Sequence, residues 1–213
     1  MTNLVRLRII FLSSIFLSSE CFGGMILLCA LNNQPMPETI WKIRLATRND
    51  LPFLREMLYE AVCWRPHQPR SPLEEVLVEP ELAKLLEGWG RNGDTAVVAE
   101  WEDGAPVGAA WYRFWTAKNH SYGFVDADTP EFGIAVRQEM RQRGIGTALL
   151  TALLEQAQRS AIARISLSVE PENYSRLLYE KIGFKRVGAS GTSWTMLLEL
   201  KGKTSDLKKK IIN

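Results

Sequence analysis

The chain has 213 residues, 46% of them hydrophobic and 23% charged, a balance that buries a core and excludes a disordered tail protein, a collagen and a multi-pass membrane protein. A net charge of +2 and a sequence pI near 8.4 fall short of the strongly basic signature of a nucleic-acid binder. Cys21, Cys29 and Cys63 are widely spaced with no CxxC pair, and His67 and His120 are the only histidines. Neither a zinc site nor a disulfide framework is expected, and a reducing compartment, the cytoplasm, fits.

Residues 1 to 35 differ from the rest. Arg6 and Arg8 precede an apolar stretch from Ile9 to Leu17, and Met25 to Ala30 adds a second, a pattern that mimics a signal peptide. No small-x-small cleavage site follows, and neither run approaches the ~18 residues a membrane helix needs. Residues 1 to 40 are therefore expected to lie outside the functional domain, with Met36 as the working start; export and a membrane-surface anchor are the alternatives. Residues 201 to 213 set five lysines against Asp206 and are expected to form a solvated basic tail, which leaves residues 41 to 200 mildly acidic.

That middle stretch reads as one domain. Trp41 to Leu45 alternates as a strand, and Thr47-x-x-Asp50 resembles a capping signal ahead of Leu51, Leu54, Met57, Leu58 and Val62 at helical spacing. Cys63 to Pro72 holds three prolines and reads as a loop, and Leu73 to Leu86 as a second helix. Thr95 to Trp101 and Val107 to Trp115, joined by a turn at Glu102-Asp103-Gly104-Ala105, form a hairpin. After a polar irregular stretch come a strand at Glu131 to Val136, an amphipathic helix at Gly144 to Ser160 and a strand at Ile165 to Val169. A short helix at Tyr174 to Lys181 and strands near Phe184 to Val187 and Trp194 to Leu200 complete the domain. This order predicts an α/β (α+β) fold, a mixed central sheet with helices on both faces.

The first chemical signal is the glycine turn. Val136 ends a strand, and Arg141-Gln142-Arg143-Gly144-Ile145-Gly146-Thr147 then opens a helix, whose first amides are unpaired and carry partial positive charge. Two glycines admit an oxygen-bearing group to the backbone, and Arg137, Arg141 and Arg143 add charge-assisted bonds, so a pyrophosphate fits. The alternative is that Gly144 merely permits a tight turn while the arginines face solvent. A P-loop is excluded because no Gly-Lys-Ser/Thr follows. A Rossmann fingerprint lacks its third glycine, Leu149 standing there; Glu170 lies where that fold wants an acid, but too little chain follows.

Residues 131 to 200 resemble a known family. Glu131-Phe132-Gly133-Ile134-Ala135-Val136, then Arg141-x-x-Gly144-x-Gly146-x-Ala148-Leu149-Leu150, then Asn173 to Phe184 look like the GNAT superfamily of acyl-CoA N-acyltransferases. Tyr174-Ser175 departs from the Pro-Ala that many members carry. Across Trp41 to Trp115 the resemblance is architectural only.

The resemblance implies a sheet splayed between its fourth and fifth strands, with acetyl-CoA as co-substrate in the gap. Free backbone groups of Ile134, Ala135 and Val136 would bond the pantetheine as an added strand does, and an N–H near Ala135 or Val136 would polarise the thioester carbonyl. Arg141, Gln142, Arg143, Gly144, Ile145, Gly146, Thr147 and Asn173 complete the cofactor-binding set. Tyr179 is the implied general acid for the departing thiolate; its alternative is a ring packed against the sheet. Glu131 is the candidate base that deprotonates the amine, with Asp126, Asp128 and Glu170 as weaker choices.

Recognition of the acceptor is less marked. The loop Cys63-Trp64-Arg65-Pro66-His67 and the strand residues Trp111, Arg113 and Trp115 could line a pocket, and the arginine pair would then favour a carboxylate-bearing amine; equally, the tryptophans could be core. The function expected is an N-acetyltransferase acting on a primary amine, and the alternative is a non-catalytic acyl-CoA-binding module. No metal, nucleic acid or membrane span is expected, and a homodimer is compatible with the family.

Overall fold

The computed structural model describes residues 41–65 and 68–200. Expectations for residues 1–40, for Pro66 and His67 and for the lysine-bearing tail lie outside the described residues.

Strand β1 (Trp41–Leu45) leads through a 3-10 turn at Arg48–Asp50 into helix α1 (Leu51–Val62). The capping signal forms as its spacing dictates. Asp50 Oδ2 accepts the Thr47 N–H at 2.6 Å and the Thr47 hydroxyl at 3.0 Å, and Arg44 donates to both oxygens of the same carboxylate at 2.8 Å. The Arg44 guanidinium, helped by the Thr47 bonds and opposed by burial, pulls the Asp50 carboxyl down to about 2. The cap aims the apolar face of α1, with Phe53, Leu54, Met57 and Leu58, at the sheet.

Composition predicts one helix from Leu73 to Leu86, but two one-turn helices stand there, α2 (Leu73–Val76) and α3 (Pro80–Ala83). Pro80 is the reason. Its nitrogen has no hydrogen to donate, and its ring drives Glu79 out of the helical region to ψ 122°.

The hairpin β2 (Thr95–Trp101) and β3 (Pro106–Arg113) is followed by β4 (Glu131–Val136), helix α4 (Ile145–Arg159), β5 (Arg164–Val169), helix α5 (Ser175–Ile182), β6 (Lys185–Ser190) and β7 (Ser193–Glu199). Among the described residues these strands form one seven-stranded sheet in the order β1-β2-β3-β4-β5-β7-β6. Parallel β4 and β5 are joined by α4, a crossover that puts the helix on one face.

Two apolar clusters flank the sheet. On one face Ile145, Leu149, Leu153 and Ala157 of α4 meet Tyr179 and Ile182 of α5 and Phe132 and Val136 of β4. On the other, the α1 residues meet Leu77, Leu86, Val98, Trp111 and Ala135. Strand β4 divides its side chains between them because successive residues point to opposite faces. Phe132, Ile134 and Val136 face α4, whereas Glu131, Gly133 and Ala135 face α1.

Candidate active site

The sheet opens at its centre. Between β4 and β5 a single register pair stands, Glu131 with Ser166, next to the 2.9 Å bond from the Ser166 N–H to the Pro130 carbonyl. Beyond that point the strands part. The Arg137 N–H donates to the Val107 carbonyl at 2.9 Å, and alternation along the antiparallel β3–β4 pair directs the backbone groups of Ala135, Gly133 and Glu131 toward β3 as well. The groups of Ile134 and Val136 therefore face the gap. Of the three residues singled out from sequence, Ala135 is turned the other way.

At the open end of the gap the chain enters α4 through two left-handed residues, Gln142 (φ 64°) and Gly144 (φ 79°). A Cβ on Gly144 would meet no protein atom within 4 Å, so within the chain itself this glycine serves the left-handed backbone angle. The first helical bond runs from the Ala148 N–H to the Gly144 carbonyl at 3.0 Å, and no side chain caps the helix. The amides of Ile145, Gly146 and Thr147 thus open the helix without intrahelical acceptors. Two of the three arginines point elsewhere in this state. Arg141 donates to Glu60 on α1 at 2.8 Å and to the Val136 carbonyl at 3.1 Å, Arg137 donates to Glu56 at 2.9 Å, and Arg143 is exposed.

On the α1 face lies a cleft of about 290 Å³, lined by Leu58, Trp64, Trp111, Trp115, Tyr122 and Glu131 among others. Glu131 Oε1 accepts the Gly123 N–H at 2.9 Å and the Ser121 hydroxyl at 3.2 Å. Its other oxygen, Oε2, is buried without a hydrogen-bond partner. Burial, only partly opposed by those two bonds, pushes the carboxyl up to about 7. Close to neutrality it is thus divided between its acid and its base.

Tyr179 lies on the opposite face. Its ring packs edge-on against Phe132 with centroids 5.6 Å apart and against Phe184 at 5.9 Å. Burial pushes the phenol up to about 12, against a hydrogen bond with Ser175, and Tyr179 does not line the cleft. It shares the α4 side of the sheet with the helix that Gly144 opens. Asn173 does line the cleft, and its Oδ1 accepts the Ser175 N–H at 2.9 Å, leaving Nδ2 as the group it offers a ligand.

Two of the three weaker candidates are tied into structure. Asp126 accepts from Arg164 at 2.9 Å and from Thr129 and the Asp128 N–H in its own turn; Asp128 is exposed. Glu170 accepts the Trp64 indole N–H at 3.1 Å and pairs with Arg65. The arginine pair does not form a carboxylate clamp. Buried Arg113 donates to both oxygens of Asp94, at 3.0 and 2.6 Å, and to the carbonyls of Lys84 and Glu87 at 3.0 and 2.9 Å.

Sequence reasoning missed two glycines. A Cβ on Gly123 would stand 2.6 Å from the Leu167 carbonyl carbon and 2.7 Å from the Glu131 carboxyl. A Cβ on Gly133 would stand 2.7 Å from the Trp111 ring, its direct partner across the β3–β4 pair. The only signal for Gly133 is that register, a tryptophan opposite a glycine. For Gly123, inside the irregular stretch, the sequence carries none. Among the described residues no group of His, Cys, Asp and Glu is arranged to hold a metal, and no helix is long and apolar enough to cross a membrane.

A mixed sheet split between parallel fourth and fifth strands, with a glycine-opened helix at the split, defines an acyltransferase fold. The chain belongs to the acetyltransferase (GNAT) family, whose model matches residues 56–184. Among solved structures it is similar to ribosomal-protein-alanine N-acetyltransferase from Brucella melitensis, at 26% identity and TM-score 0.53 over 74% of this chain and 99% of that one. It is also similar to the PaiA N-acetyltransferase from Thermoplasma acidophilum in complex with coenzyme A, at 20% identity and TM-score 0.57 over 75% and 99%. A third is a phosphinothricin acetyltransferase from Sinorhizobium meliloti in complex with acetyl-CoA, at 20% identity and TM-score 0.53 over 75% and 88%. No curated protein matches the chain.

Proposed function

We propose that the domain at residues 41–200 is an N-acetyltransferase that moves the acetyl group of acetyl-CoA onto a primary amine by direct attack. The observation that carries this reading is the disposition of strand β4. Its backbone at Ile134 and Val136 faces the gap, while its first residue, Glu131, presents a buried carboxyl with one unpartnered oxygen. The relatives solved with coenzyme A or acetyl-CoA support the co-substrate.

The thioester supplies the activated acetyl group. The amides of Ile145, Gly146 and Thr147, with Gln142, Arg143 and Arg141, receive the diphosphate; for Arg141 this means leaving Glu60. Ile134 and Val136 bond the pantetheine as a neighbouring strand would. The Val136 N–H faces the carbonyl oxygen as negative charge develops there, a fixed donor worth ~3 kcal/mol. Asn173 offers its Nδ2 at the mouth of the cleft.

Glu131 takes a proton from the incoming ammonium, whose ordinary pKa is ~10.4. A carboxyl held at about 7 is a stronger base toward that proton than a solvated carboxylate. From the other face Tyr179, protonated at neutral pH like any phenol and raised further by burial to about 12, gives its proton to the thiolate. The nitrogen loses two protons on its way from ammonium to amide: Glu131 takes the first before attack, and the second leaves after the N–C bond has formed, as the C–S bond breaks, and replaces through water the proton that Tyr179 gives the thiolate. The products are the amide and the free CoA thiol.

Release of free thiol from acetyl-CoA across a panel of primary amines tests the reading. Amine-dependent release supports it. Tight acetyl-CoA binding without release for any amine would instead identify a binding module.

A further inference from the structure

The cleft on the α1 face has a composition that narrows its occupant. Its walls are largely aromatic and aliphatic, with Trp64, Trp111, Trp115, Tyr122, Leu58 and Leu85, and its uncharged polar groups are Ser121, Ser168, Asn173 and Ser193. Three charged side chains reach it, Arg113, Glu131 and Glu170, and two are already neutralised. Arg113, 1% exposed, grips Asp94 with two nitrogens and two main-chain carbonyls with the third. Its charge is also covered by the rings of Trp89 and Trp115, at 5.4 and 5.9 Å from their centroids. Glu170 is paired with Arg65 and bonded to Trp64. What remains is the single carboxyl of Glu131, with Oε2 buried and unpartnered.

From this we infer that the acceptor is a small amine with an aromatic or aliphatic body and no carboxylate: the apolar walls enclose that body, and Glu131 is the one charged side chain of the lining left to meet an opposite charge. This rests on the proposed acetyl transfer. The physical argument is one of missing partners. An amino acid would bring its own carboxylate into a cleft whose one lining cation, Arg113, is committed, beside Glu131, which repels it. Freeing Arg113 to receive it would take from the buried Asp94 carboxylate its two shortest bonds, leaving it Arg91 at 3.6 Å and the N–H groups of Gly90 and Arg91 at 3.1 Å. A polycation would carry surplus ammonium groups against tryptophan walls with a single carboxyl to serve them. An amine with one charge and an apolar remainder leaves nothing unpaired.

The test sets matched pairs against each other, phenethylamine with phenylalanine and tryptamine with tryptophan, reading CoA thiol release. The amine lacking the carboxylate is expected to have the higher kcat/KM by about 10²-fold or more. Equal or better turnover of the amino acids overturns the inference while leaving acetyl transfer intact. Preference for spermidine or for an alanine-led peptide overturns it in the same way. Quenching of intrinsic fluorescence by phenethylamine and phenylalanine gives a readout that needs no catalysis. If no amine is acetylated yet phenethylamine binds at least tenfold tighter than phenylalanine, the cleft's selectivity stands and the proposed reaction falls. If acetyl-CoA binds and phenethylamine shows no preference, the inference falls.

Discussion

Residues 131–184 build the gap side of the site mainly from main-chain groups, whereas residues 51–115 contribute to the cleft side through side chains. On the gap side the parts proposed to hold the cofactor are the backbone of Ile134 and Val136 and the first amides of α4, all fixed by a strand and a helix close in sequence. On the cleft side Trp111 depends on Gly133, and Arg113 depends on Asp94 and on carbonyls of the segment before it. The difference teaches where substitutions act. A site made of amides is damaged through backbone geometry, and a site made of side chains through the loss of a single partner.

Four substitutions sharpen or break that contrast. Glu131→Gln is expected to lower kcat by about 10²–10⁴-fold while leaving acetyl-CoA affinity unchanged by calorimetry. Glu131 works only when ionised, so wild-type kcat should rise as pH passes through about 7. The variant should lose that rise, and a variant that keeps it removes Glu131 as the base. Arg113→Met removes the closer of the two cations on Asp94, leaving Arg91 at 3.6 Å, and is expected to destabilise the fold by about 1–3 kcal/mol in urea titration. Unchanged stability would mean that the pair does not hold the cleft wall.

Tyr179→Phe preserves the ring against Phe132 and Phe184 and removes only the hydroxyl. It is expected to cost about 10²-fold in kcat with little change in acetyl-CoA affinity; an unchanged kcat across the pH range takes the phenol out of the mechanism. Gly144→Ala is the smallest change, forcing a side chain onto φ 79° at a cost of about 1 kcal/mol. It should weaken acetyl-CoA binding and spare kcat at saturation. If it changed kcat alone, the separation of the two sides would fail.

The same division explains what could be read from the chain. The stretch from Glu131 to Thr147 was legible because its chemistry is local: a strand, a glycine with a left-handed angle, and a helix whose register follows from Ile145, Leu149 and Leu153. The cap at Thr47 and Asp50 was legible for the same reason. The cleft was not. Nothing in the sequence pairs Arg113 with Asp94 or Trp64 with Glu170, since those contacts arise only when the sheet assembles. The reading of Arg65 and Arg113 as a carboxylate clamp counted their charges without their partners. The single helix expected from Leu73 to Leu86 gave leucine and glutamate content too much weight against Pro80. The main-chain direction of Ala135 also needed the β3 register, which two bonded neighbours settle and a lone strand cannot.

The contact between Trp111 and Gly133 has a consequence for anyone who would re-engineer this protein. Their sizes are complementary across a strand pair, so neither position is an independent variable. Trimming the indole to admit a bulkier guest exposes bare peptide at Gly133, which water can then reach. Enlarging the glycine instead pushes the indole into the space the guest would fill. A library that varies the two positions jointly, exchanging volume from one strand to its neighbour, explores new guests while keeping that stretch of peptide covered.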